Sequence, residues 1–202
     1  MTALTRRALL CGLASATLPS AADAAQGLAA AARGVNPVLV ARTLDALVRH
    51  DGAIWSRDVI GIADFGLPSW RPRFYLIDIL AGTTTTMLLA HGRGSDPQHS
   101  GYLQSFSNAP GSLATSEGAY LAGEPYIGIN GRSRRLIGLD PTNDQAERRA
   151  IVIHSARYVG SDVVARRRVL GRSDGCLAFS QGNIAEVLAR LGRGRLIYAG
   201  RA

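Results

Sequence analysis

Lysine is missing: all 23 basic residues of this 202-residue chain are arginine. Schiff-base chemistry, phosphate-loop lysines and Ser–Lys catalytic pairs are thereby excluded. Cysteine occurs only at Cys11 and Cys176, and aromatic residues make up 6% of the chain. No apolar run reaches the roughly 18 residues that a membrane-crossing helix needs, so a multispanning membrane protein is excluded. Nor is there a helix-turn-helix, zinc-finger or aromatic RNA-binding signature. What is present is 47% apolar and 19% charged residues, enough for one domain with a packed core and too apolar for a disordered chain.

The adjacent Arg6 and Arg7, the short apolar run 8–18 and the small-residue site Ala22-Asp23-Ala24 read as an export signal over residues 1–24, of the twin-arginine type that passes folded proteins. Leu10, before Cys11, is too large for a lipoprotein site, so no lipid anchor is expected. Without residues 1–24 the net charge falls from +8 to +7. A basic exported protein suits anionic envelope polymers or carboxylate-rich substrates, not nucleic acid. The expected location is the periplasm or cell envelope, with no transmembrane segment in the mature chain. Cys176 then remains as a lone thiol, unable to form an intrachain disulfide: either inert in the core or kept for its reactivity.

Residues 25–35 are small and featureless and read as a tether, leaving 36–202 as a single domain. Asn36 and Pro37 form a helix start, and Leu39, Val40, Leu44, Leu47 and Val48 recur at helical spacing up to Arg49. Short β-branched and aromatic segments follow at 59–65, 73–80 and 83–90, the last two flanking Ala81-Gly82 as a hairpin. A long Gly/Ser/Asn-rich loop over 91–120 has the length of a functional loop. Strands return at 120–129, 135–139 and 151–154. Ser180 caps a helix carrying Ile184, Val187, Leu188 and Leu191, and 196–199 closes the chain as a strand. The pattern predicts a mainly β sandwich or barrel with an N-terminal helix and one C-terminal helix.

A cysteine becomes a strong nucleophile as thiolate, which needs a base or a cation close by. His91, His99 and His154 all precede Cys176. His154 ends the apolar stretch 151–153, which places its ring at a sheet rim. Cys176 follows Arg172-Ser173-Asp174-Gly175, a polar turn running into an apolar strand, where glycine lets successive amides converge on an oxyanion. His before Cys is the reverse of the papain-like order, and neither Gln-Ala-Cys-x-Gly nor Thr-Leu-x-Thr-Cys occurs. Two other readings stay open here. Cys176 suits a small buried hydrophobe, and His91, Asp96 and His99, spaced His-x4-Asp-x2-His, suit a zinc-dependent cell-wall peptidase. Arg166, Arg167 and Arg168 read as a solvated loop.

Between residues 78 and 199, His154-Ser155, a spacer and Ser173-Asp174-Gly175-Cys176 resemble the L,D-transpeptidase catalytic domain family, in a divergent branch with Arg-Ser-x-Gly-Cys-x-Ala. Asp174 stands where the usual motif has histidine, Ala178 where it often has Asn or Arg, and the spacer is slightly long. The 91–95 and 106–108 segments also resemble that branch. The resemblance implies an acyl transfer on peptidoglycan stem peptides without cofactor or metal. In it Cys176 is the nucleophile, His154 the base, the Ser155 carbonyl orients the ring, and the amides of Asp174, Gly175 and Cys176 form the oxyanion hole. His91, Arg93, Ser107, Asn108, Arg172 and Ser173 would line the substrate site. A non-catalytic wall-binding module, motivated by Asp174, is the remaining reading.

Overall fold

The computed structural model describes residues 20–202. Arg6, Arg7, Cys11 and the apolar run of the expected export signal lie outside the described residues. Helices α1 (Ala21–Ala31) and α2 (Pro37–Arg49) precede strands β1 (Val59–Asp64), β2 (Phe74–Asp78) and β3 (Thr83–Met87). The long loop contains one 3-10 turn, Arg93–Ser95, before β4 (Gly118–Gly128), β5 (Gly131–Gly138) and β6 (Val152–Ser155). Then come α3 (Ser161–Arg167), β7 (Leu177–Phe179), α4 (Ile184–Arg190) and β8 (Leu196–Gly200). The mainly β architecture is as predicted, with two helices more than expected.

The strands form one sheet in the order β3-β2-β1-β8-β4-β5-β6-β7. The β1–β8 and β6–β7 pairs are parallel and the others antiparallel. Alternation along β1, β2 and β8 feeds two cores. Val59, Ala63, Phe74, Leu76 and Ile197 enter the inner one, where Phe74 meets Phe179 edge-on at 4.8 Å. Ile60, Ile62, Tyr75, Ile77 and Tyr198 turn outward onto α1 and α2. A strand buried on both faces shows no polar side, which is why these segments read as continuous apolar runs. The sheet curls until the chain beyond β3 reaches β7, through bridges Ala90↔Ala178 and Gly92↔Ser173, nearly closing a barrel.

The region expected to be a tether is instead mostly helix. Ser20 Oγ accepts the Asp23 amide at 3.2 Å and Asp23 returns the contact to the Ser20 amide, a capping box. Ala24, Leu28 and Ala31, at i, i+4 and i+7, are buried against the outer core. The stripe is built mainly of alanine, the best helix former but a weak hydrophobic signal. The boundary expected after Ala24 thus falls inside α1. Leu28→Ala is expected to cost about 2–4 kcal/mol and to lower Tm by roughly 5–12 °C, read by thermal unfolding. No change would mean that α1 is not part of the folded body.

α3 was not expected either. It buries only Val163, carries an exposed Asp162–Arg166 pair at 2.7 Å and ends at Arg168 in a left-handed conformation. The arginine run is therefore the C-terminal turn of a helix, where cations oppose the dipole. Asn36 caps α2 through Val38 N at 2.9 Å, as the sequence indicates.

Candidate active site

Strands β6 and β7 run parallel with Ile153 opposite Leu177 and His154 opposite Ala178. Ile153, Leu177 and Phe179 enter the inner core, so alternation turns His154 and Ala178 to the other face. Cys176, in step with Val152 just before β7, shares that side. The register thus places residues far apart in sequence at neighbouring positions of adjacent strands next to the barrel seam.

The turn before Cys176 is specified atom by atom. Gly175 has φ +112°, and a Cβ there would lie 2.7 Å from the Ala114 carbonyl oxygen, so only glycine fits. Ser173 Oγ donates to the Cys176 carbonyl at 2.7 Å and accepts the Gly175 amide at 3.2 Å. The loop strand clamps the turn from outside: Ser173 N–H donates to His91 O at 2.9 Å, and Arg93 N–H to Ser173 O at 2.7 Å. Gly92 permits this approach, since a Cβ there would stand 2.7 Å from Gly175 Cα.

His154 is 5% exposed, and its Nδ1–H donates to the Ser155 carbonyl at 2.8 Å. That bond selects the tautomer with a free lone pair on Nε2. Burial holds the His154 pKa below the ordinary imidazole value, the Ser155 carbonyl opposing, so the ring is neutral near pH 7. The Cys176 thiol is partly exposed and donates to the Ala150 carbonyl at 3.6 Å. Burial pushes the thiol up; the Val152 amide and Arg149 pull it down, and Asp174 adds to the rise. The resting site therefore holds a neutral thiol and a neutral imidazole, not an ion pair.

The remaining predicted residues divide. Arg93 is exposed and pairs with Asp174 at 2.8 Å, at the mouth of the turn. Ser107 lends its carbonyl to Arg149 Nη1 at 2.7 Å. Asn108, expected on the substrate wall, instead ties the loop to Pro141 O at 3.0 Å and Asp144 Oδ1 at 2.7 Å. Arg172 likewise turns inward to the Asp96 and Pro97 carbonyls. His91 is sealed at 1% exposure, because the guanidinium of Arg73 donates to its Nδ1 at 2.6 Å, while its Nε2 lies 3.5 Å from Asp96 Oδ2. All three side chains thus make hydrogen bonds within the protein, while His91 Nε2 is buried without a hydrogen-bond partner.

The zinc arrangement does not assemble. His91 Nδ1 faces a guanidinium and the Asp96 carboxylate accepts from Ser100 and Gly101 amides at 2.8 Å. His99 Nε2 meets the Leu170 carbonyl at 2.7 Å. Among the described residues no group of three or more His, Cys, Asp or Glu stands ready for a metal. Sequence reasoning missed Arg73 and Arg149: one is a lone charge opening an apolar strand, the other one of two adjacent arginines with no motif around them. A cavity of about 650 Å³ lined by Trp70, Val164, Ala165 and Arg168 lies on α3 and touches neither His154 nor Cys176.

Comparison with known proteins gives the family. The profile described as L,D-transpeptidase catalytic domain matches residues 32–199, and the chain belongs to that family. Similar solved structures include an L,D-transpeptidase from Mycobacterium smegmatis, with 17% identity and TM-score 0.42 over 71% of this chain and 58% of that one. Another is from Mycobacterium tuberculosis H37Rv, with 15% identity and TM-score 0.43 over 71% and 57%. A third, from Xylanimonas cellulosilytica, has 11% identity and TM-score 0.43 over 70% and 60%. This chain thus spans less than two thirds of the length of these structures. A search of curated proteins gives no match.

Proposed function

We propose that this protein is an exported cysteine acyltransferase of the L,D-transpeptidase type, acting on peptidoglycan stem peptides. The observation that carries the reading is His154, its Nδ1 bound to the Ser155 carbonyl at 2.8 Å and its Nε2 free, on the same face of adjacent parallel strands as Cys176. Nε2 takes the thiol proton as the sulfur attacks the carbonyl of an L-centre–D-Ala bond. The imidazolium returns that proton to the departing D-Ala amine, leaving a thioester on Cys176. A diamino-acid side-chain amine, or water, then attacks the thioester and frees the thiol. The first route crosslinks and the second trims. The thioester conserves the energy of the broken peptide bond, so the chemistry needs neither cofactor nor metal.

Stabilisation of the oxyanion rests on two amides in this reading, not three. Gly175 N–H is taken up by Ser173 Oγ, which leaves Asp174 and Cys176 as donors at the turn. Arg93 is the substrate-facing cation, releasing Asp174 to engage a stem-peptide carboxylate. Export is supported by the composition of residues 1–24, and the net positive charge suits anionic envelope polymers.

Intact mass after exposure to a carbapenem, a strained amide that acylates an accessible nucleophile, tests the reading. A covalent adduct is expected on the wild-type protein and none on Cys176→Ala. An adduct that survives the substitution overturns the assignment of the nucleophile. Defined tetrapeptide stems then separate crosslinking from D-Ala release. A Cys176→Ala protein that still binds muropeptides and retains every phenotype identifies a wall-binding module instead.

A further inference from the structure

Arg149 precedes β6 in a short turn, followed by Ala150 at φ +52°, a left-handed conformation uncommon for alanine. Ala150 N–H donates to Glu147 O at 3.0 Å and Ile151 N–H to Ala146 O at 2.9 Å, so the reversal is fixed on both sides. It sends the Arg149 side chain beneath the long loop. There the guanidinium donates to Ser107 O at 2.7 Å, to Ser112 Oγ at 3.1 Å and to the Ala114 carbonyl. A Cβ on Gly175 would lie 3.2 Å from Arg149 Nη2. The cation thus abuts the residue before Cys176, while the next carbonyl, Ala150 O, holds the thiol itself.

All three of these partners are neutral, and among the described residues Arg149 forms no salt bridge. The guanidinium is half-buried, and burial lowers its own pKa. A cation held this way without a carboxylate is costly unless negative charge develops beside it. The groups facing that place are Cys176, the Tyr120 and Tyr158 hydroxyls, and Asp174, whose charge is engaged by Arg93. Both tyrosines are pushed up to about 12, so they stay neutral. Sulfur is the group that becomes an anion during turnover.

We propose that Arg149 is a positioning residue for the nucleophile: it supplies the positive charge that favours the Cys176 sulfur anion, and with the same fork it fixes residues 107–114 over the Gly175 turn. The inference rests on Cys176 being the nucleophile. The cation comes from the β5–β6 connection, far from the Cys176 turn in sequence.

The test is the pH dependence of Cys176 alkylation by iodoacetamide, which reads the sulfur without needing turnover. Arg149→Gln is expected to move the midpoint up by about one pH unit and to slow alkylation several-fold at pH 7.5. Arg149→Lys, which keeps the charge and loses the fork, is expected to stay much closer to wild type. Coincident midpoints for Gln and wild type, or equal shifts for Gln and Lys, overturn the proposal. A measurement on the wild type alone guards against a Gln variant that does not fold. A neighbouring cation raises the ratio of anionic iodoacetate to neutral iodoacetamide rates above that of free cysteine, and a ratio at or below it overturns the proposal. If Cys176→Ala still transfers acyl groups, the active-site reading fails by itself, whatever the alkylation shows.

Discussion

His154→Ala is expected to lower the acylation rate by about 10²–10⁴-fold while leaving the protein folded, because proton transfer through a positioned base is worth that much. The ring's hydrogen bond goes to the neighbouring Ser155 backbone and to no distant element, so little of the fold depends on it. The pH profile of wild-type kcat/KM carries the sharper prediction. Below the His154 pKa the imidazolium cannot take the thiol proton, and that pKa lies under its ordinary 6.5. Above the thiol pKa no proton remains for the leaving amine, and that pKa lies over its ordinary 9.0. A plateau spanning neutrality, with its acid limb below pH 6.5 and its alkaline limb above pH 9, is therefore expected. An alkaline limb near pH 8 would indicate a resting thiolate–imidazolium pair and contradict the neutral site. A His154→Ala protein with unchanged acylation would remove the base from the mechanism.

Arg73→Ala is expected to destabilise the protein by about 3–5 kcal/mol, the usual cost of removing one partner from a buried charged network, and to lower Tm by roughly 6–20 °C. Arg73 is 0% exposed, as is Asp96. Its guanidinium donates to Leu89 O and Leu67 O at 2.9 Å and to His91 Nδ1 at 2.6 Å, with the Phe65 ring centroid 5.0 Å away. Burial pulls its pKa down to about 9, so it still carries its charge at neutrality. Alanine would strand two carbonyls and an imidazole nitrogen, and would remove the positive charge near Asp64 and Asp96. The same network sets an acid limit. Burial and then Arg73 pull the His91 pKa down to about 3, below its unfolded value near 6.5. The unfolded chain therefore binds the extra proton between these values, and stability falls with pH from 6.5 towards 3 by about 1.4 kcal/mol per unit. Chemical denaturation followed at several pH values checks both. A loss under 1 kcal/mol for Arg73→Ala would show that the network is dispensable.

Much of this molecule is legible in the order of its residues. The α2 cap at Asn36, the hairpin about Ala81-Gly82 and most strands follow from turn chemistry and periodicity. The glycine turn before Cys176 and the strand ending in His154 are both marked in the sequence; their adjacent register positions on β6 and β7 are not. Other elements are hidden for physical reasons. α1 buries a stripe made mostly of alanine, which looks like a linker. The parallel β1–β8 contact joins residues more than a hundred positions apart, and nothing in either segment names its partner. Asn108, Arg172 and His91 advertise polar atoms without saying which carbonyls or guanidinium will occupy them. Arg73 and Arg149 are masked by the habit of arginine to sit in water: only three-dimensional placement separates a buried cation from a solvated one.

The bridges at Ala90 and Gly92 have a consequence for motion. Along this line two isolated bridges and a few amide bonds of the loop clamp join the two lips of the sheet, and the Cys176 turn sits on one of them. This sparse stitching thus lies beside the His154 and Cys176 positions. A seam joined this sparsely can open locally while the rest of the sheet stays paired. Amide hydrogen exchange at Ala90 and Ser173, whose N–H groups make the seam bonds, would read that opening, which need not disturb either core.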